Sequence, residues 1–401
     1  MPSLDNTHEA LGLRPEVELL LNCARTRPGD EIDARLRRLI KTEIDWNALL
    51  RLAERHRVVP LLYRQLQSLD TKAAPPEILD RLRNHFYLSA VHNHLLASEL
   101  RVILKLFDEN SITIVPYKGP ALALKLYGDI SLRQFGDLDL LVHRADVPQA
   151  SALLNELGYR KQHQLTRAQE AAFQRTECEH LFSRADEGLY IDLHWEFVPR
   201  YFSLRLEAES FWPRLVEESF EGLKVLSFSP EDLLLILCAH AAKEFWERLV
   251  WLCDVAELAG AHPSLDWPQL IGRATLTGTR RALLVSLSLA HDLLAVPLPA
   301  DILQLIEADP VIPNLSAQIK QQLFADAIGP TGIKRYLLPS RSLDSWRDRL
   351  KFRLRLALTA SPEDWTFVRL PDRLLPLYSL IRPFRLARKY LFSDRPIIKS
   401  T

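Results

Sequence analysis

The sequence predicts an α+β protein, with short strands confined to the middle of the chain and helical stretches on either side. Three observations carry this. Residues 111–116, Ser-Ile-Thr-Ile-Val-Pro, form a β-branched run of strand type. Residues 137–142 and 189–195 alternate polar and apolar side chains with the two-residue period of a strand. Elsewhere apolar clusters recur among charges at helical spacing, as in Leu49-Leu50 with Leu52, or Leu96, Leu100 and Leu104. The expected division is an N-terminal helical region over 1–110, a core over 111–228 and a C-terminal helical region over 229–401.

Composition narrows the function. The 401 residues carry 51 Lys+Arg against 51 Asp+Glu, so no global charge favours a nucleic-acid partner, and any basic surface is local. The four cysteines, Cys23, Cys178, Cys238 and Cys253, are scattered without a C-x-x-C pair, which predicts neither a zinc site nor a disulfide framework. Reduced thiols in a cytoplasmic protein are expected. The polar start MPSLDNTHEA lacks the layout of a signal peptide, and no apolar run approaches a membrane span.

In the first hundred residues Asp45 reads as an N-cap, Pro60 sits in the first turn of another helix, and a long helix covers 77–110. After the strand at 111–116, Lys118-Gly119-Pro120 turns into a helix over 121–127. A helix over 145–157 ends at Gly158, and 159–164, 179–184, 189–195 and 223–228 read as strands. Ser229 then caps a helix over 231–243, with Pro230 at its first position and Asp232 three residues on. Further helices follow, clearest at 267–274, 280–294 and 300–308.

The chemistry concentrates at 117–142. On a strand, Asp137 and Asp139 share one face while Leu138 and Leu140 face the core. Two carboxylates side by side repel unless a cation lies between them, and a hard divalent ion with oxygen ligands answers that need. Metal-assisted phosphoryl transfer follows as the first hypothesis. Gly119 at a strand-to-helix turn lets backbone amides approach a phosphate, and Lys118 would reach it; a turn glycine beside a surface lysine is the alternative, and the Asp pair that follows favours the phosphate. Arg133 either forks onto phosphate oxygens or forms a surface salt bridge. On 231–243, His240, Lys243 and Glu244 share one face.

The order Lys118-Gly119, a short helix, Arg133 and then Asp137-Leu138-Asp139-Leu140-Leu141-Val142 resembles the uncharacterised bacterial branch of the nucleotidyltransferase superfamily, whose broader fold is that of DNA polymerase beta. Ile191-Asp192-Leu193-His194-Trp195, His240-Ala241-Ala242-Lys243 and the segment 249–254 extend the match, which runs from about Lys118 to Asp254. The resemblance implies a small mixed sheet as the core. It also implies transfer of a nucleoside monophosphate from an NTP, with ATP as the expected donor, to a hydroxyl or phosphate acceptor, with release of pyrophosphate. Asp137, Asp139 and Asp192 would be catalytic and would hold Mg²⁺ (or Mn²⁺); Lys118, Gly119, Arg133, His240 and Lys243 would bind the nucleotide. Trp246 or Trp251 would stack on a base or belong to the core, and His194 would support the site or simply be a hydrogen-bonded strand histidine. The superfamily usually has Gly-Ser where Lys118-Gly119 stands, which leaves open how this loop holds a triphosphate. The acceptor is a small molecule, peptide or protein. A non-catalytic nucleotidyltransferase-like protein that binds a nucleotide or partner is the alternative.

Three carboxylates this close imply at least one raised pKa, with nearby cations aimed at phosphate rather than at the carboxylates. Near the C-terminus, Arg347, Arg349, Lys351, Arg353 and Arg355, then Arg382, Arg385, Arg388 and Lys389, stand among aliphatic and aromatic residues. Such helices either dock on their own protein or lie peripherally on an anionic membrane; docking is the expectation.

Overall fold

The computed structural model describes residues 13–27, 29–69, 74–184, 186–325 and 337–391. Five helices open the described chain: α1 (Pro15–Cys23), α2 (Asp30–Leu39), α3 (Trp46–Arg55), α4 (Val59–Ser68) and the long α5 (Pro76–Glu109). Asp45 caps α3 by accepting from the Ala48 amide at 2.9 Å, and Pro60 lies in the first turn of α4, both as the sequence indicates.

The middle of the chain builds the sheet: β1 (Ile114–Pro116), α6 (Gly119–Tyr127), β2 (Leu138–Val142), α7 (Val147–Glu156), β3 (Arg160–Lys161), α8 (Arg167–Thr176), β4 (Glu179–Arg184) and β5 (Leu189–His194). The strand order is β1-β2-β5-β4-β3. The β2–β5 pair is parallel and the others are antiparallel, so the sheet is mixed. Two expected strands shorten to β1 and β3. The expected last strand instead closes a separate hairpin, β6 (Val216–Phe220) with β7 (Leu223–Ser227). Helix α8 was not foreseen, although Thr166 and Gln169 form a reciprocal capping box at its start.

Nine helices follow among the described residues: α9 (Pro230–Lys243), α10 (Leu249–Ala261), α11 (Trp267–Thr277), α12 (Arg280–Leu294), α13 (Ala300–Ala308), α14 (Val311–Leu323), α15 (Trp346–Leu358), α16 (Pro362–Phe367) and α17 (Tyr378–Leu391). The opening helices and those from α9 to α14 share one apolar core, in which Leu20, Leu36, Leu49 and Leu62 pack with Leu237, Leu252, Leu284 and Leu289. Polar ties cross the same seam: Glu257 accepts from the Thr26 amide at 2.7 Å and from its hydroxyl at 2.6 Å. A second core joins Leu96, Leu100, Ile103 and Phe107 of α5 to the sheet residues Leu138, Leu140, Ile191 and Leu193. Each fully buried Leu or Phe contributes about 1.5–3 kcal/mol relative to exposure, so α5 is held to the sheet along several turns.

The basic C-terminal helix docks. Arg382 and Arg385 of α17 both donate to the buried Asp364 of α16, and Tyr378 is fully buried. Its opposite side leaves Leu380 and Phe384 exposed. Among the described residues no helix is long and apolar enough to cross a membrane.

Candidate active site

The parallel register of β2 and β5 sets Asp139 directly opposite Asp192, with Leu138–Ile191 and Leu140–Leu193 on either side. The apolar members of these pairs point into the second core, which turns both carboxylates to the other face. Asp137 lies one residue before β2 and is half-buried. Gly119 is required beside it for two reasons. Its φ is +58°, a left-handed conformation that glycine adopts freely, and a Cβ there would lie 3.1 Å from the Asp137 carbonyl oxygen. The turn and the Asp137 backbone are thus packed into each other.

Charge in this cluster is uneven. Burial first, then Asp139, raises the Asp137 carboxyl. Burial, followed by Glu179, Asp137 and Asp139, pushes Asp192 well above the ordinary carboxylate range. Burial acts on Asp139 in the same direction, but the Lys118 ammonium and a hydrogen bond from His194 overcome it and hold this carboxylate far below its usual value. Lys118 Nζ stands 2.5 Å from Asp139 Oδ1, and His194 Nε2 is 3.2 Å from the same oxygen. The expectation of raised carboxyls is met at Asp137 and Asp192. The expectation that cations point only at phosphate is not: Lys118 neutralises Asp139.

Arg133 requires a correction. It is buried, and its Nε and Nη2 donate to the two oxygens of Asp254 at 2.7 and 2.8 Å. The fork expected for phosphate, or for a surface salt bridge, grips a buried carboxylate on α10. Tyr127 donates to the same Asp254 at 2.8 Å, and Asn93 of α5 donates to the Ile130 and Arg133 carbonyls, both at 2.8 Å. This network fixes the loop leading into Asp137. Trp246 is fully buried and donates to Ser286 at 2.8 Å, which makes it core. Trp251 meets His240 edge-on, with ring centroids 5.5 Å apart.

His240 and Lys243, near the end of α9, lie on the carboxylate side. Burial, then the charges of Lys118 and Lys243, hold His240 well below its usual pKa and keep it neutral. Burial opposes the Lys243 ammonium, but Glu179 keeps it charged. Glu179 escaped the sequence reading. It pairs with His194 across the β4–β5 ladder, 3.1 Å from Nδ1, so His194 bridges Glu179 and Asp139. No spacing signal marks Glu179, because strand pairing rather than sequence brings it in. Arg57 was missed for the same reason. It lies on the turn after α3, yet Asp137 is among the charges acting on it.

The donor set fits a hard divalent cation. Ligand atoms of Asp139, Asp192 and His194 lie within 4.8 Å of one another, and Asp192 Oδ1 is buried with no hydrogen-bond partner. Ionised, that oxygen is an acceptor without a donor, which a bound cation would complete. The neighbouring group Cys178, Glu179 and His194 fits less well, because burial, followed by Glu179, keeps the Cys178 thiol protonated.

The family described as uncharacterised nucleotidyltransferase matches residues 42–295, more than half of the chain and all of the site residues named above. The chain belongs to this nucleotidyltransferase family. Among solved structures, the solution structure of the antibiotic-resistance factor ANT(2'')-Ia is similar over 57% of this chain and 94% of that one, with 17% sequence identity and a TM-score of 0.29. No curated protein matches this chain.

Proposed function

We propose that this protein is a divalent-metal-dependent nucleotidyltransferase, moving a nucleoside monophosphate from an NTP, ATP first among them, to a hydroxyl or phosphate acceptor. The observation that carries the reading is the Asp139–Asp192 register pair with Asp137 beside it, an oxygen-rich cluster whose Asp192 Oδ1 has no partner. Asp137, Asp139 and Asp192 would hold Mg²⁺ or Mn²⁺, which when bound neutralises charge on the phosphates and the leaving pyrophosphate. The acceptor oxygen bonds to the α-phosphorus, the bond from that phosphorus to the bridging oxygen of the pyrophosphate breaks, and the acceptor proton leaves. Asp192, ionised once a cation offsets its carboxylate neighbours, would take that proton from a hydroxyl acceptor. Gly119 permits the close turn beside Asp137, and Lys118, released from Asp139 when a cation binds there, would join Lys243 in supplying positive charge to the phosphates. The four free, buried cysteines support a cytoplasmic setting.

One observation favours the second reading, a nucleotide- or partner-binding protein without catalysis: Lys118 already sits on Asp139, where a metal would bind. The deciding experiment incubates the protein with each NTP, Mg²⁺ or Mn²⁺ and a host lysate, and follows pyrophosphate and labelled product. Pyrophosphate release that disappears in Asp192→Asn supports the transferase. Nucleotide binding without release, unchanged in that variant, supports the second reading.

A further inference from the structure

Helix α3 ends in a Schellman closure: the Val58 amide donates to the Ala53 carbonyl at 3.0 Å and the Arg57 amide to the Glu54 carbonyl at 3.2 Å. Arg57 occupies the position that glycine usually takes in this motif, and its φ is +56°. A side chain in that conformation is unfavourable, and strain of this kind persists where the side chain has a use. The turn is pinned to the start of α10. The Leu249 amide donates to His56 Nδ1 at 3.2 Å and the Val250 amide to the His56 carbonyl at 3.3 Å. Arg57 and Arg248 are therefore each one residue away from this double tie.

Both guanidiniums are half-buried, and neither has a salt bridge among the described residues. Arg248 lies over the Trp251 ring at 5.8 Å. Helix α10, which Arg248 precedes, grips Arg133 through Asp254, and Arg133 lies only four residues before Asp137, so this turn faces the loop that carries the carboxylate. Burial, then Arg248, lowers Arg57 to about 10, with Asp137 opposing. The two guanidiniums crowd each other, and the carboxylate that acts on Arg57, Asp137, forms no salt bridge with it among the described residues. Arg133, by contrast, has Asp254. Planar guanidiniums fork onto phosphate oxygens, and partial burial strengthens the attraction.

We infer that Arg57 and Arg248 form a clamp for the polyphosphate of the nucleotide, so that the turn after α3 completes a site otherwise built on the sheet. This rests on the nucleotidyltransferase reading for the identity of the ligand. The clamp takes the β- and γ-phosphates, because Lys118 and the three carboxylates gather around Asp139. It also answers how a loop with Lys118-Gly119 binds a triphosphate: the charge comes from the helical region.

The test uses inorganic tripolyphosphate in EDTA, which removes both the base and the metal, followed by titration calorimetry. Wild type is expected to bind it, with orthophosphate weaker, and Arg57→Gly and Arg248→Gln are each expected to weaken it at least tenfold. Arg57→Gly also guards against misfolding: glycine suits the turn and the repulsion disappears, so its Tm without ligand should equal or exceed that of wild type. Tripolyphosphate binding unchanged in both variants, or no binding by wild type, overturns the clamp. The two ideas separate through Asp192→Asn. Unchanged binding in the arginine variants, with pyrophosphate release lost only in Asp192→Asn, sinks the clamp and keeps the transferase. Weakened binding in the arginine variants, with no release by wild type, keeps the clamp and sinks the transferase.

Discussion

Lys118 Nζ lies 2.5 Å from Asp139 Oδ1, and both side chains are buried. This contact splits the three carboxylates into unequal members. Asp139 is ionised and paired; Asp137 and Asp192 are crowded and raised. Removing a partner from a buried pair strands the other charge, at about 3–5 kcal/mol. Asp139→Asn and Lys118→Met should therefore lower the denaturant midpoint in EDTA. Asp137→Asn should leave it unchanged or raise it. Equal losses in Asp137→Asn and Asp139→Asn would mean that both carboxylates are structural.

Asp192→Asn should separate stability from chemistry. The orphaned Oδ1 and the repulsion from Glu179 and Asp137 make the ionised carboxylate unfavourable in the apo protein, so the amide should be at least as stable. Turnover should fall by about 10²–10⁴ if Asp192 takes the acceptor proton. Stabilisation by Mn²⁺ in the presence of ATP should also fall, because binding to the folded state shifts the melting temperature by mass action. A variant that keeps full metal-dependent stabilisation removes Asp192 from the ligand set.

Arg133 and Asp254 should behave as a structural pair. Either Arg133→Met or Asp254→Ala should cost about 3–5 kcal/mol, because each leaves a buried charge on α10 or on the loop before β2. Tyr127→Phe should cost about 1 kcal/mol through the lost hydrogen bond. Urea midpoints of the three variants check the order. If Arg133→Met keeps its stability and only the KM for nucleotide rises, the arginine serves phosphate after all.

Much of this was legible in the sequence, and the limits have physical causes. Local signals carried far: the Ser229 cap, the helix Ala300–Ala308 and the Asp139 strand depend on near neighbours, and the structure places them accordingly. The Asp192 position rested on a resemblance, since nothing local says that β5 runs parallel to β2 at that register. Glu179 and Arg57 come near the carboxylates only through strand pairing and helix docking, which leave no periodic trace. Arg133 was misread because a buried fork onto Asp254 and a fork onto phosphate require the same residue type.

Gly119→Ala should cost both stability and activity. The left-handed φ alone costs an alanine about 1–2 kcal/mol. Its Cβ would also press on the Asp137 carbonyl, so relaxation would displace the backbone that carries a candidate metal ligand. The expected signature is a lowered Tm, with Mn²⁺-dependent stabilisation falling further than the Tm loss accounts for. An alanine variant with wild-type stability and metal response would show that the turn can shift freely.

The pH dependence of stability should carry the mark of His56. Its Nε2 faces the Leu323 carbonyl at 3.0 Å and its Nδ1 accepts from the Leu249 amide, so the neutral ring with its proton on Nε2 satisfies both partners and ties the first helices to α10 and α14. Burial, then Arg55, lowers its pKa to about 3. The unfolded chain binds this proton near pH ~6.5, so between about 6.5 and 3 the unfolded state holds more protons than the folded one. The contribution is complete above that window and is lost as pH falls through it, amounting to about 5 kcal/mol over its full width. Asp139 adds acid sensitivity only below about pH 4, where unfolded carboxylates begin to protonate. Denaturant midpoints between pH 7 and 4.5 should therefore carry the slope of one proton from His56, on top of what His240, Asp137 and Asp192 add equally in wild type and variant. They should fall much less in His56→Gln, whose amide cannot take the charge, although that variant starts lower. Parallel slopes in the two proteins would place the acid sensitivity elsewhere and remove His56 as its source.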